Sequence, residues 1–146
     1  MPRALKLCCA GAAPLLLGLL FNYVLLYLPV PGVLLIVLEC GLLAAWGYAA
    51  FRLSDPKKNP LVQAFLLSGF GLAMLALVLY QELVLGHYWD NFLGLGTQVF
   101  FLPFLTAAAS VVSPFMEIVR IWPMYIVIWI CLFLIGCAGC LIKRRG

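Results

Sequence analysis

The most constraining feature of the chain is its last apolar stretch, residues 123–142, which carries no charge and is followed at once by Lys143, Arg144 and Arg145. A helix of this length is about 30 Å long, which matches the hydrocarbon core of a bilayer. Placing the basic triplet in the hydrocarbon would cost free energy, so the triplet should stop the helix at a membrane face. By the positive-inside rule that face is cytoplasmic. The pattern predicts a transmembrane helix.

Composition extends this prediction to the whole chain. Of its 146 residues, 66% are apolar and 10% are charged, against roughly 45–50% and about 25% in soluble domains. The longest polar interruption, residues 52–60, is too short for a soluble domain, so residues 1–146 should form a single membrane domain. The net charge of +4 does not indicate a nucleic-acid partner. The basic residues lie at span ends, where they set orientation and meet anionic lipid.

Uncharged runs and prolines divide the chain into spans. No charge occurs between Lys6 and Glu39, but one helix through all of these residues would be ~48 Å long and would overshoot the bilayer. Pro29, Pro31 and Gly32 predict a tight reversal within this run. The predicted spans are residues 7–28, 33–51, 61–85 and 123–142.

Residues 97–121 are apolar but interrupted by prolines and small polar residues. If this segment does not cross, eight basic residues lie on the cytoplasmic side and only Arg120 lies outside. If it crosses as a fifth span, fewer basic residues lie on the cytoplasmic side. We therefore expect an all-α polytopic protein with four transmembrane helices, both termini cytoplasmic, and an interfacial or re-entrant segment before the last span. A bacterial cytoplasmic membrane is the expected location. The predicted cytoplasmic anchors are Arg52, Lys57, Lys58, Lys143, Arg144 and Arg145.

Glu39 lies about 9 Å inside the outer boundary of the second span, where a charged carboxylate is costly. Counting residues inward from each span end places other polar side chains at a similar depth. They are Asn22, Tyr23, Tyr80, Gln81, Glu82 and Trp129. The functional interpretation of this layer is a site responsive to protons or cations, or a pocket for a polar headgroup. The structural interpretation, which we favour, is a protonated acid that bonds Asn22 or Tyr23 and fixes helix packing.

Small residues recur at four-residue spacing on two spans. Gly41, Ala45 and Ala49 form such a row on the second span, and Gly69 and Ala73 do so on the third. Rows of this kind let helices approach closely. Packing within one bundle is the favoured interpretation, and an interface between subunits is the alternative.

No sequence motif indicates catalysis, a metal site or a cofactor. The six cysteines lie within spans or near their cytoplasmic ends, so reduced thiols are expected rather than disulfides. The sequence predicts a non-enzymatic membrane subunit or scaffold whose partners are the bilayer, anionic lipid at the cytoplasmic face, and other membrane proteins or a second copy. The alternative is an oligomeric transporter or channel that uses the layer around Glu39.

Overall fold

The computed structural model describes residues 3–87, 89, 91–115 and 121–145. Within these ranges the chain is helical and has no β-strand, so the all-α prediction is confirmed for them. The helices are α1 (Arg3–Gly11), α2 (Ala13–Tyr27), α3 (Gly32–Leu53), α4 (Pro60–Leu79), α5 (Phe92–Phe101), α6 (Leu105–Val112) and α7 (Trp122–Arg145). A π-helical turn, Tyr80–Leu85, extends α4, and the 3-10 turns Leu102–Phe104 and Ser113–Phe115 follow α5 and α6.

Five helical stretches in the described ranges are long and apolar enough to cross a membrane, one more than the four predicted. They are Arg3–Tyr27, Gly32–Leu53, Pro60–Leu85, Phe92–Phe115 and Trp122–Arg145. The additional stretch, Phe92–Phe115, overlaps the segment 97–121 that the sequence predicts to be interfacial or re-entrant. Residues 116–120 of that segment lie outside the described residues. Length and composition alone therefore admit a fifth span. The one argument against it from the sequence is the number of basic residues on each side of the membrane.

The last helix, α7, packs against both α3 and α4. Its side chains Ile128 and Leu132 are 3% and 1% exposed. On α3, the indole N–H of Trp46 donates a buried hydrogen bond of 2.9 Å to the carbonyl oxygen of Leu132. Nearby, Gly139 lies so close to α3 that a Cβ would overlap the carbonyl oxygen of Gly47. Only glycine permits this approach of the two backbones.

Four helix ends meet at one end of the bundle, which we call the basic end. The Arg3 guanidinium, at the start of α1, lies 3.2 Å from the Asp55 carboxylate in the loop between α3 and α4. The Lys143 ammonium, near the end of α7, donates to the carbonyl oxygen of Arg52 at 2.7 Å. From Trp46 with Leu132 to Arg52 with Lys143, the contacts advance along both helices together, so α3 and α7 run in the same direction.

The apolar stretch from α5 to α6 is interrupted at its middle. Pro103 has no N–H and its ring clashes with the preceding turn, so the α-helix gives way to the 3-10 turn Leu102–Phe104. Before the interruption, α5 penetrates the bundle. A Cβ at Gly18 of α2 would overlap the carbonyl oxygen of Val99, and Phe100 is 1% exposed. This stretch is therefore packed inside the bundle at its midpoint.

Candidate functional site

Glu39 is a buried acidic side chain on α3, with 1% of its surface exposed. Both of its carboxyl oxygens accept hydrogen bonds from backbone N–H groups at the start of α6. Oε1 accepts from Thr106 at 3.0 Å, and Oε2 accepts from Ala107 at 2.6 Å. The carboxyl group thus joins α3 to a segment 67 and 68 residues further along the chain.

The interruption at Pro103 explains why these two N–H groups need a partner. The first four N–H groups of an α-helix have no carbonyl one turn earlier to bond. Thr106 and Ala107 are the second and third residues of α6, and the residue before α6, Phe104, has a non-helical backbone (φ −126°, ψ 5°) and an apolar side chain. Glu39 therefore caps α6 from a different helix. Its carboxyl group also lies at the positive end of the α6 dipole.

A cavity of about 80 Å³ adjoins Glu39 between α3, α6 and α7. Its walls are otherwise mostly apolar and include Leu43, Phe104, Ile128 and Cys131. Acid–base catalysis requires a positioned group that can exchange a proton with a substrate. Here both carboxyl oxygens are already engaged by the backbone of α6. The arrangement suits the attachment of α6 to α3 better than it suits chemistry.

The hydrogen-bond partners of Glu39 are not the side chains that the sequence predicts beside it on α2. Asn22 and Tyr23 are exposed, and the Tyr23 ring packs against Tyr27 with centroids 4.7 Å apart. The partners of Glu39 are backbone groups of α6 instead. Counting residues from a span end gives the depth of a side chain, but it does not give the direction in which that side chain points around the helix axis.

The remaining members of the predicted polar layer have other surroundings. Gln81 is fully buried in the π-helical turn, and its Oε1 accepts the backbone N–H of Trp89 at 2.9 Å. The Trp129 indole donates to the carbonyl oxygen of Ser68 at 3.2 Å. Tyr80 is 47% exposed, and Glu82 is half-buried. The hydrogen bonds of Gln81 and Trp129 therefore do not join these two side chains to Glu39.

No known protein family, curated protein or solved structure matches the chain. Within the described ranges, no group of three His, Cys, Asp or Glu side chains could hold a metal ion. Cys137 and Cys140 are buried on α7 as free thiols.

The two rows of small residues lie on the outside of the bundle. Gly41 and Ala45 of α3 are exposed, and a Cβ at Gly41 would meet no atom within 4 Å. On α4, a Cβ at Gly69 would also meet nothing within 4 Å, and Ala73 is exposed. Ala49, at the end of the first row, is half-buried. Neither glycine of these rows lies at a helix contact within the single chain.

Close packing within the chain uses other glycines, among them Gly11, Gly18 and Gly139. A Cβ at each would overlap a carbonyl oxygen of a neighbouring helix; the carbonyls belong to Leu67, Val99 and Gly47 respectively. Sequence reasoning missed these positions because none of the three has a small residue four positions away. One small residue opposite a carbonyl is enough for close approach, and a single glycine leaves no pattern in the sequence.

The predicted cytoplasmic anchors surround the basic end. Five of them are exposed, namely Arg52, Lys57, Lys58, Arg144 and Arg145. Lys143 is half-buried, and its ammonium lies 6.0 Å from the centre of the Phe51 ring. Together with its bond to the Arg52 carbonyl, this contact holds the end of α7 against the end of α3.

Gln63 organises the loop at the basic end, a role that sequence reasoning missed. It is 3% exposed; its Oε1 accepts the Asp55 N–H at 2.5 Å, and its Nε2 donates to the Asp55 carbonyl at 2.9 Å. The carboxylate of Asp55 accepts the N–H of Lys57 at 3.1 Å. This bond, and next the Arg3 guanidinium, hold the pKa of Asp55 below its ordinary value, while partial desolvation opposes them.

Proposed function

We propose that the chain is a small, non-enzymatic membrane subunit or scaffold that packs against another transmembrane helix through α3. The partner is a different membrane protein or a second copy of this chain. The observation that carries the proposal is the open space above Gly41, beside the exposed Ala45. Small residues at this spacing let two helix backbones approach closely and gain packing contacts in lipid. Within the chain, close approach occurs at other glycines, so this face is available to a partner.

We further propose four membrane crossings, with α5 and α6 entering the membrane and returning to the same side. Helix α4 begins at the basic end and α7 finishes there. Helix α4 therefore finishes, and α7 begins, at the end of the bundle opposite the basic end. The segment that joins them, which contains α5 and α6, starts and finishes at that opposite end. The capping of α6 by Glu39 supports this threading, because backbone that is interrupted at membrane depth must find polar partners within the protein.

In this proposal the basic end faces the cytoplasm, with both termini on that side. Lys and Arg are enriched in cytoplasmic segments, and anionic lipids attract each such residue by about 1 kcal/mol near the surface. A bacterial cytoplasmic membrane fits an end of this charge. The lipid partner of the protein would then be the anionic headgroups of the inner leaflet.

An oligomeric transporter or channel is the competing function, with Glu39 as a polar waypoint. Both oxygens of Glu39 already accept backbone hydrogen bonds, which favours a structural role. A Glu39→Gln variant that keeps its fold but abolishes a pH-dependent flux in liposomes would support transport instead.

Replacing Gly41 by Leu tests the subunit proposal because the new side chain fills the open face of α3. The matched control is Gly96→Leu, since a Cβ at Gly96 of α5 also meets no atom within 4 Å. We expect tagged wild-type protein to retain its partner or second copy in mild detergent, G96L to do the same, and G41L to lose it. Retention by folded G41L would refute the proposal.

A further inference from the structure

A cleft of about 290 Å³ opens at the basic end between the start of α1 and the start of α4. The cationic side chains of Arg3 and Lys58 lie among its lining residues, together with the apolar side chains of Val62 and Leu66. The cations belong to the first residues of α1 and to the loop before α4. The apolar residues follow one and two turns into α4. The cleft is therefore charged at its mouth and apolar below it.

The mouth of the cleft carries a net positive charge. Its lining contains the two cations and one carboxylate, that of Asp55. Arg3 lies 3.2 Å from this carboxylate, yet its side chain remains 61% exposed. Lys58 is exposed as well. One carboxylate cannot neutralise both cations, so the mouth complements an anion.

The loop that carries Lys58 is fixed by hydrogen bonds from a buried side chain of α4. The buried Gln63 side chain bonds both backbone groups of Asp55 and donates to the carbonyl oxygen of Lys58 at 3.3 Å. The N–H of Lys58 in turn donates to the Asp55 carbonyl at 3.1 Å. The backbone of the cationic mouth is therefore formed before any ligand arrives, which reduces the entropy that binding would cost.

The apolar wall continues from the mouth into the membrane. Val62 is 56% exposed, Leu66 is half-buried, and both face the cleft from α4. Leu7 of α1, 1% exposed, lies on the opposite side. From Val62 to Leu66 the apolar wall extends about 6 Å along the helix. This length suits the upper part of an acyl chain.

We propose that this cleft binds one anionic phospholipid, with its phosphate between Arg3 and Lys58 and an acyl chain along Val62 and Leu66. The inference rests on the proposed membrane function, although it requires no partner at α3. Charge complementarity selects an anionic headgroup, and the apolar wall selects a lipid over free phosphate. Basic pockets between transmembrane helices on the cytoplasmic side are recurrent sites for anionic headgroups.

Native mass spectrometry of the full chain in detergent tests this assignment with three probes. They are phosphatidylglycerol, phosphatidylcholine with the same acyl chains, and inorganic phosphate. We expect phosphatidylglycerol to bind at least fivefold more tightly than phosphatidylcholine. Inorganic phosphate should neither bind measurably nor displace the anionic lipid at equal concentration. Saturation by phosphate alone, or equal binding of the two lipids, would overturn the assignment.

Two matched pairs of variants locate the bound lipid. Val62→Trp should fill the cleft and weaken phosphatidylglycerol binding at least fivefold, whereas Leu61→Trp, at a residue of similar exposure (59% against 56%) outside the cleft lining, should not. Lys58→Gln should reduce the preference for the anionic lipid, and Arg145→Gln, which removes the same charge elsewhere at the basic end, should leave it intact. Equal effects within either pair would mean that the lipid is attracted by the general charge and apolar surface of the basic end, and would refute binding in the cleft. The subunit proposal is read from co-purification, so the two can fail separately.

Discussion

The carboxyl Oε2 of Glu39 on α3 lies 2.6 Å from the backbone nitrogen of Ala107, the third residue of α6. A helix that restarts after Pro103 inside the bundle thus receives its cap from a side chain on another helix. This contact gives a buried acidic residue a structural purpose that requires no ligand. It also makes the position of α6 depend on α3.

Replacing Glu39 by Ala should destabilise the protein, because two partly buried N–H groups lose their acceptors. Each such group costs about 1–3 kcal/mol when left unsatisfied. Glu39→Gln retains one carbonyl oxygen and should lose less. Thermal unfolding in detergent measures both, with Gln98→Ala, at an exposed side chain of α5, as a control. An E39A variant as stable as the wild type would contradict the capping role.

Trp46→Phe should lower stability by about 0.5–1.5 kcal/mol through loss of its hydrogen bond to the Leu132 carbonyl. Chemical unfolding in mixed micelles would measure the change. Tyr48→Phe is the control, since Tyr48 is 63% exposed on the same helix. If the two substitutions had equal effects, the bond between α3 and α7 would contribute nothing.

Gly139→Ala should destabilise the pair of α3 and α7 because the added Cβ overlaps the Gly47 carbonyl. Overpacking of this kind typically costs about 1–3 kcal/mol. Gly69→Ala should be neutral or slightly stabilising, since its Cβ enters open space and alanine is the better helix former. The melting temperatures of the two variants should therefore change in opposite directions or differ clearly. The reverse order would show that the helices pack differently.

The proposed threading predicts which positions a membrane-impermeant thiol reagent can reach. In a background without the native cysteines, Asn91→Cys before α5 and Ser113→Cys after α6 should react from one side of the membrane. Lys57→Cys should react only from the other side. If the cysteines at positions 91 and 113 reacted from opposite sides of the membrane, α5 and α6 would form a fifth crossing, and the proposal that they return to the same side would be refuted.

The contact of Arg3 with Asp55 should weaken in acid. The folded-state pKa of Asp55 is lowered, first by the Lys57 N–H and then by Arg3. Its contribution to stability is therefore present above the unfolded value of about 3.9 and is lost as the pH falls through the folded value. Proteolysis of the N-terminal residues between pH 6 and pH 3 should accelerate at the acid end. Asp55→Asn should remove this dependence, and an unchanged pH profile would contradict the contact.

The sequence predicted the long apolar helices because charge and hydropathy determine what can enter a bilayer. It also drew attention to Glu39, since a carboxylate in an apolar run is costly wherever it lies. It could not identify the partner of Glu39. Backbone N–H groups exist at every residue, and only the tertiary fold determines which of them reach a given side chain.

The rows at Gly41 and Gly69 show the same limit from the other direction. Spacing revealed that each row lies on one helix face, but not whether that face points into the bundle. Gly11, Gly18 and Gly139, which do meet a neighbouring helix, have no small residue four positions away in the sequence. Helix rotation is decided by the sum of all contacts, which no short pattern contains.

The link from Glu39 to α6 has a consequence for biosynthesis. Thr106 is added 67 residues after Glu39, which takes a ribosome about 3–14 s at roughly 5–20 residues per second. During that interval the acidic residue is already made while its hydrogen-bond donors are not. The insertion machinery must therefore accept α3 with an unmatched carboxyl group, and this part of the protein can mature only late in translation.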